Sequence, residues 1–533
     1  MKKSVVSLFI LLFAVNEVFS CTNLIITKGA SADGSTMLVY TNDGEWLYRL
    51  SLTESSGYPE GTYIKYGDDS IPQSTHTNKV IGFQMNEYQV AIGETTFTGR
   101  EELWDKSKPL KYWNLMHLAL ERAKTAREAI DVITRLVEKY GYGSEGESFS
   151  IIDPDEAWIL EMIGTGGKGG AIWVAMKIPD GYISAHANMA RIGEFPLDDP
   201  ENCVYSKNIV SFAIEKGYFD PDDKIPFRFN NVYNPPSPDR LKYCETRVWS
   251  LFSRAAPSLN LSTDYCRGVQ GAERYPLWIK PDKKLALQDV FDLIRDHYEG
   301  TEFDMTKGIA AGPFGSPFRC RPLFWETDSA KYSWERPVSS YNTAFSFVAQ
   351  ARNFLPDGVG GIVWFGVDET YTTCYVPLYC GISEIPEPFT KGDMKKFSWD
   401  SMWWVFNFVS NYINLRYSYM IKDLQEVQSE LENKFISEQD SIVSLVKNLY
   451  PEHQSQILTE YSANATGLVL RRWIELGEHL ITKYNDGYIK NDKGHPEQAG
   501  YPEEWKREVI KSNPDKYRIP DWNKEGNIID TPY

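Results

Sequence analysis

Between residues 80 and 178 the hydrophobic period of the chain changes twice, and this alternation constrains the fold more than any other feature. "VIGFQM" and "QVAIGE" are the short apolar runs of strands. "KYWNLMHLALERA" and "AREAIDVITRLVEKYG" then carry apolar residues at helical spacing, and "SFSIID", "AWILEMIG" and "AIWVAMKI" return to strand texture. Thr125 and Glu128 make a capping box for the second helix, and Gly141 is suited to stop it. Sheet, paired helices and sheet again predict a layered α+β domain of antiparallel strands joined by short turns. The same texture begins at Cys21: residues 22–27 read as a strand, "KGASADGS" as a polar turn and residues 36–40 as a returning strand, so Cys21 heads a hairpin.

What precedes Cys21 reads as a leader. Lys2 and Lys3 stand ahead of an apolar run from Val5 to Val15, with Val18 and Ser20 where a signal peptidase reads. The run is too short for a membrane span, which needs about 20 apolar residues. The greasiest later stretch, Trp403 to Val409, contains Asn407 and is expected to be a buried helix. Residues 1–20 are therefore expected to be a signal peptide, and the mature protein to be secreted or periplasmic.

The chain of 533 residues can bury a large core, and with 42% hydrophobic and 14% aromatic residues it is not a disordered one. A formal charge of −17 and the absence of a basic stripe argue against a nucleic-acid partner. Seven cysteines are an odd number. The six after Cys21 (Cys203, Cys244, Cys266, Cys320, Cys374 and Cys380) are open to pairing in an oxidising compartment, or are buried thiols; no C-x₂-C pair suggests zinc. Past Asp400, Leu424, Val427, Leu431, Ile442, Leu445 and Leu449 recur at helical spacing. Residues 400–490 are expected to form a helical segment packed on a main domain of residues 21–399, and the tail from Gly494 an extended or loosely docked end.

If the leader is cut before Cys21, one residue carries both a thiol and a free α-amine. In model compounds these titrate at about 8.5 and about 7.7–8.0, so the amine can serve as base for its own side chain. Such a nucleophile needs no histidine and gives an acyl-enzyme on sulfur. "VFSC" is also a loose lipobox, and acylation of Cys21 in a surface lipoprotein would consume both groups; an ordinary cleavage site is the third reading.

"CTNLIITKGASADGSTMLVYTND" resembles the start of the PepD-like dipeptidases. These are N-terminal nucleophile (Ntn) cysteine hydrolases related to the choloylglycine hydrolases and penicillin V acylases. The likeness recurs in "MNEYQVAIGETTFTGREEL", "PDGYISAHANMARIGEF", "HYEGTEFDMTKGIAAGPFG" and "GGIVWFGVDETYTTCYVP", covering most of residues 21–385. The resemblance implies a four-layer αββα sandwich, hydrolysis of dipeptides with a free amino terminus, and no metal or organic cofactor. It makes Cys21 the nucleophile and its own base, and Asp43 in "YTND" the carboxylate that holds the amine. It makes Asn188 in "AHANMAR" an oxyanion donor, joined by backbone near Glu94 or Thr95, and Arg247 in "CETRVW" a cation near the thiolate. Choloylglycine-type relatives carry an arginine three residues before the aspartate; this chain has Tyr40. Glu94 is a candidate for the substrate's ammonium, and His186 a structural or substrate-contacting residue. An N-acyl amide hydrolase is the alternative activity, and a homo-oligomer is compatible with the sequence.

Overall fold

The computed structural model describes residues 20–66, 69–319 and 323–520. Residues 1–19, all but the last of the expected signal peptide, and Cys320 lie outside them. From the start, β1 (Ser20–Ile26) and β2 (Thr36–Asp43) form the hairpin headed by Cys21, and β3 (Ala91–Thr98) follows after several two- to four-residue strands. Two helices, α1 (Tyr112–Arg122) and α2 (Ala126–Tyr140), lead to the meander β4 (Gly146–Ile152), β5 (Ala157–Ile163) and β6 (Ile172–Lys177). Then come β7 (Ile183–His186), α3 (Pro238–Ala255), β8 (Thr343–Ala351), β9 (Ile362–Val367) and β10 (Val376–Tyr379). Three longer helices follow: α4 (Met402–Ile413), α5 (Tyr417–Val446) and α6 (Pro451–Tyr484).

The capping residues act as their chemistry predicts. Thr125 accepts the Glu128 N–H at 3.2 Å, and Gly141 adopts φ 81° where α2 stops.

The long strands make two antiparallel sheets. One has the order β7-β1-β2-β8-β9-β10; the other runs from Cys203–Tyr205 through β6, β5, β4 and β3 to three short strands. The sheets face each other through β1 and β2 on one side and β3 and β4 on the other. Helices α1 and α2 cover the outside of the second sheet, and α3 to α6 the outside of the first. This is the α+β, four-layer arrangement with antiparallel sheets.

The sheets approach closely at Gly93, where a Cβ would lie 3.1 Å from the Tyr40 Cβ and 3.1 Å from the Asn23 side chain. The strand beside β3 pairs with it at Ala91, and the Ile92 N–H still reaches the Gln84 carbonyl at 3.3 Å; past Ile92 that strand no longer pairs with this edge of β3. The Asn23 amide, turned to satisfy its partners, caps that edge: it accepts from the Glu94 N–H and donates to the Glu94 carbonyl, each at 3.1 Å.

The helical segment is the outer wall of the first sheet. Glu432 of α5 pairs with Arg295 at 2.6 Å and accepts the Tyr375 N–H at 2.9 Å, while Ser462 of α6 donates to the Pro377 carbonyl at 3.0 Å. Leu424 and Leu431 are buried there. Leu445, in the last turn of α5, and Leu449, in the turn beyond it, are exposed instead. As read from the sequence, Trp403, Val405, Phe406 and Val409 form the buried face of α4, and no described helix is long and apolar enough to cross a membrane. The tail departs from the extended reading: Pro496–Gln498 pairs with Tyr488–Lys490, and Glu503–Ser512 is a helix begun by Pro502. Cys203, Cys244, Cys266, Cys374 and Cys380 are buried free thiols, as is Cys21.

Candidate active site

Cys21 is fully buried near the start of β1, between the two sheets. Its Sγ lies 3.2 Å from Glu94 Oε1, 3.8 Å from the Tyr40 hydroxyl and 3.9 Å from Asn42 Nδ2. The Tyr40 hydroxyl donates to the same Glu94 oxygen and accepts from Asn42 Nδ2 at 2.7 Å, and Asn42 is in turn fixed by the Trp46 indole N–H at 3.0 Å. Antiparallel register explains the grouping: Cys21 stands opposite Asn42, and Ser20 opposite Asp43.

With its nitrogen in the peptide bond to Ser20, the thiol is held in its neutral form. Burial pushes it well above its ordinary value, the carboxylates of Glu94 and Asp43 push the same way, and the Tyr40 hydroxyl opposes them only partly. Burial also raises Glu94 from its ordinary value, against hydrogen bonds from Glu147, Tyr40 and Cys21 that lower it.

Asp43 is clamped. Arg336 Nη2 reaches its Oδ2 at 2.7 Å and the Thr343 hydroxyl donates to its Oδ1 at 2.5 Å, both in dry surroundings. Asn188 sits in the left-handed region at φ 62°, which asparagine tolerates better than most residues. Its Nδ2 donates to the Thr96 carbonyl at 2.9 Å and its Oδ1 accepts from Arg247 at 2.9 Å.

Arg247, on α3, is fully buried, and joins these parts. Its Nη1 donates to the Cys21 carbonyl at 2.8 Å and to the Thr22 hydroxyl at 2.9 Å. Its Nη2 donates to the Ala187 carbonyl and to Asn188, and its Nε to the Tyr243 carbonyl. The guanidinium thus reaches the backbone oxygen of Cys21 rather than the sulfur.

His186 is placed otherwise. Its ring faces Ser184 at 3.5 Å and Glu161 at 3.9 Å, none of its described contacts reaches the thiol, and burial with the charge of Arg191 holds it well below its usual pKa. The ring is thus enclosed and held neutral among these neighbours. Thr95 is fully buried beside Glu94, with a hydroxyl that has no partner among the described residues.

Sequence reasoning missed Glu147, Arg336, Asn42 and Asn23. The signal for Asn23 and Glu147 was a polar side chain inside a strand that is otherwise buried. Nothing local distinguishes Arg336, whose partner Asp43 is 293 residues away.

The model of peptidase family C69 matches residues 57–430. The chain belongs to peptidase family C69. C69 enzymes are cysteine peptidases of the Ntn type, which makes this protein a hydrolase of that class. The match begins downstream of Cys21 and Asp43, so those two residues rest on the geometry above. Among similar proteins, a probable dipeptidase of Salmonella dublin is 25% identical over 412 residues, covering 73% of this chain and 88% of its own. A probable dipeptidase of Latilactobacillus sakei is 25% identical over 70% of this chain and 76% of its own. A probable dipeptidase B of Lactococcus lactis is 23% identical over 86% and 96%.

Proposed function

We propose that this C69 peptidase is exported, loses its leader between Ser20 and Cys21, and hydrolyses dipeptides through an acyl-enzyme on Cys21. The observation that supports this most is the setting of Cys21: a thiol at the head of a strand, enclosed by Glu94, Tyr40 and Asn42, with its carbonyl gripped by a buried arginine. The similarity to proteins named probable dipeptidases gives the substrate class.

Cleavage would create the base. The freed α-amine takes the thiol proton, and Asp43, itself oriented by Arg336 and Thr343, holds that amine in place. The thiolate attacks the carbonyl carbon of the first residue of the substrate, and Asn188 donates to the oxygen as it becomes anionic. The amine returns its proton to the leaving nitrogen, the C–N bond breaks and a thioester remains. Water, deprotonated by the same amine, then hydrolyses the thioester and restores the thiol. Intact mass of the exported protein tests the reading: a chain beginning at unmodified Cys21 is expected, and a diacylglycerol on Cys21 or a different first residue overturns it.

Glu94 receives the ammonium of the substrate in this reading. Glu94→Gln should then cost free dipeptides about 10–100-fold in kcat/KM and leave N-acetylated dipeptides little changed. Because the Glu94 carboxyl is raised, the advantage of free over acetylated substrates is present above its pKa and fades as pH falls through it. Equal losses on both substrates, or a preference independent of pH, would remove the ammonium role.

A further inference from the structure

Glu147 is a buried carboxyl with no task in the reaction just described. It stands on β4 directly opposite Thr96 of β3, two residues along from Glu94. Opposed residues share a face of a sheet, as do residues two apart on one strand, so Glu94 and Glu147 point to the same side as diagonal neighbours. Both are fully buried. The Thr96 hydroxyl donates to Glu147 Oε2 at 3.1 Å, while the Thr96 carbonyl accepts the Asn188 amide at 2.9 Å. One oxygen of each glutamate, Glu94 Oε2 and Glu147 Oε1, has no hydrogen-bond donor among the described residues.

Two ionised carboxylates cannot stay side by side in a dry interior. One proton between them satisfies both orphaned oxygens, since a protonated carboxyl gains a donor. The donors already present decide where it resides. Glu94 Oε1 receives both the Tyr40 hydroxyl and the Cys21 thiol, which favour its charged form, whereas Glu147 receives Thr96 alone. The titratable side chains around the pair add no cation: Tyr112 from α1, Tyr142 and Glu145 from the segment before β4, and Tyr40, Cys21 and Asp43 from the first sheet; the one cation that processing adds is the α-amine of Cys21, which faces Asp43 in the reading above. Burial and the Glu94 charge accordingly push Glu147 well above the carboxylate range.

We propose that Glu147 is a positioning residue whose protonated Oε1 donates to Glu94 Oε2, fixing Glu94 as the single ionised carboxylate that meets the substrate's ammonium, and that through Thr96 it also seats the Asn188 amide. The kinetic part of this inference rests on the ammonium role of Glu94; the shared proton does not.

Two readouts keep those parts separate. Difference infrared spectra at neutral pH should show the carbonyl stretch of a protonated carboxyl lost in Glu147→Gln and retained in Glu94→Gln. In the parent the same band should bleach as pH rises through the Glu147 value. In Thr96→Val it should bleach at higher pH, because the hydroxyl that favours the ionised form is gone. Kinetically, Glu147→Gln keeps an N–H for Glu94 and should hold kcat/KM on free dipeptides within about threefold. Glu147→Leu, similar in volume but without a donor, should raise KM at least tenfold for free dipeptides alone, while any fall in kcat that comes through Thr96 and Asn188 should be shared by free and N-acetylated substrates. An unchanged infrared band in Glu147→Gln, or the same bleaching pH in Thr96→Val, overturns the shared proton. Equal impairment of Glu147→Gln and Glu147→Leu overturns the positioning role. If Glu94→Gln fails to discriminate the substrates while the infrared result stands, the ammonium reading fails and the carboxyl pair remains.

Discussion

The mature chain carrying Cys21→Ala should fold and lose turnover by at least roughly 10⁴-fold, the scale on which nucleophile removal acts in covalent hydrolases. Folding should survive because little depends on the sulfur. Glu94 Oε1 keeps the Tyr40 hydroxyl as donor when the thiol is gone, and the cavity left is one atom in size, costing about 1–2 kcal/mol. Cys21→Ser should recover at most a trace, since the amine must then deprotonate an alcohol far less acidic than a thiol. The more telling variant leaves Cys21 in place and restores Ser20 before it. In that form the nitrogen is an amide, the thiol is buried, and the carboxylates of Glu94 and Asp43 hold it protonated. It should be as inactive as Cys21→Ala and slow to react with iodoacetamide, and removal of Ser20 by an aminopeptidase should restore both properties. Activity in the Ser20-extended form would show that the amine is not the base. Activity in Cys21→Ala would show that sulfur is not the nucleophile.

The parts of this site that the sequence made legible are those carried by one element. The hairpin headed by Cys21 is read from β-branched residues either side of a polar turn, and it forms with Cys21 opposite Asn42. The capping box at Thr125 and the stop at Gly141 likewise need only neighbours. Which face of one sheet meets the other is set by contacts such as Asn23 with Ser150 across 127 residues, and periodicity does not encode these. The four-layer arrangement therefore came from family resemblance, where periodicity predicted only a layered α+β domain. Arg247 shows the same limit from another side. Taken alone on a helix it reads as a surface cation, because arginine is rarely buried, yet the structure encloses it completely. Glu147 stands just before the run "SFSIID" and nothing local marks its role, since its carboxylate neighbour is diagonal to it on another strand. Leu445 and Leu449 err in the opposite sense: spacing specifies a helix but not the extent of the surface beneath it.

Arg247 carries the second large effect. A guanidinium has five N–H groups, and here all five are engaged: one by the Tyr243 carbonyl, two by the Cys21 carbonyl and Thr22 hydroxyl, two by the Ala187 carbonyl and Asn188 Oδ1. Every acceptor is neutral and forms part of the frame around Cys21. Lysine keeps the charge but offers three donors from a single atom, so Arg247→Lys must orphan at least two buried acceptors and release either β1 or the Asn188 amide. Each orphan costs about 1–3 kcal/mol, so a lowered melting temperature is expected of the Lys and Met variants alike. The catalytic effect should be separable from it: in the folded fraction of Arg247→Lys, kcat should fall by roughly 10²-fold, the cost of misplacing one oxyanion donor, with KM nearly constant. Burial, Glu94, Asp43 and Tyr40 dominate the titration of the thiol, so the pH dependence of its alkylation should stay where it was. A shifted alkylation profile would make Arg247 an electrostatic partner of the thiolate, and an unchanged kcat in a folded Lys variant would reduce it to a structural strut. The expected combination, a slower chemical step on an unaltered sulfur, would assign it to geometry: it ties the Cys21 carbonyl and the Asn188 amide to one rigid plane.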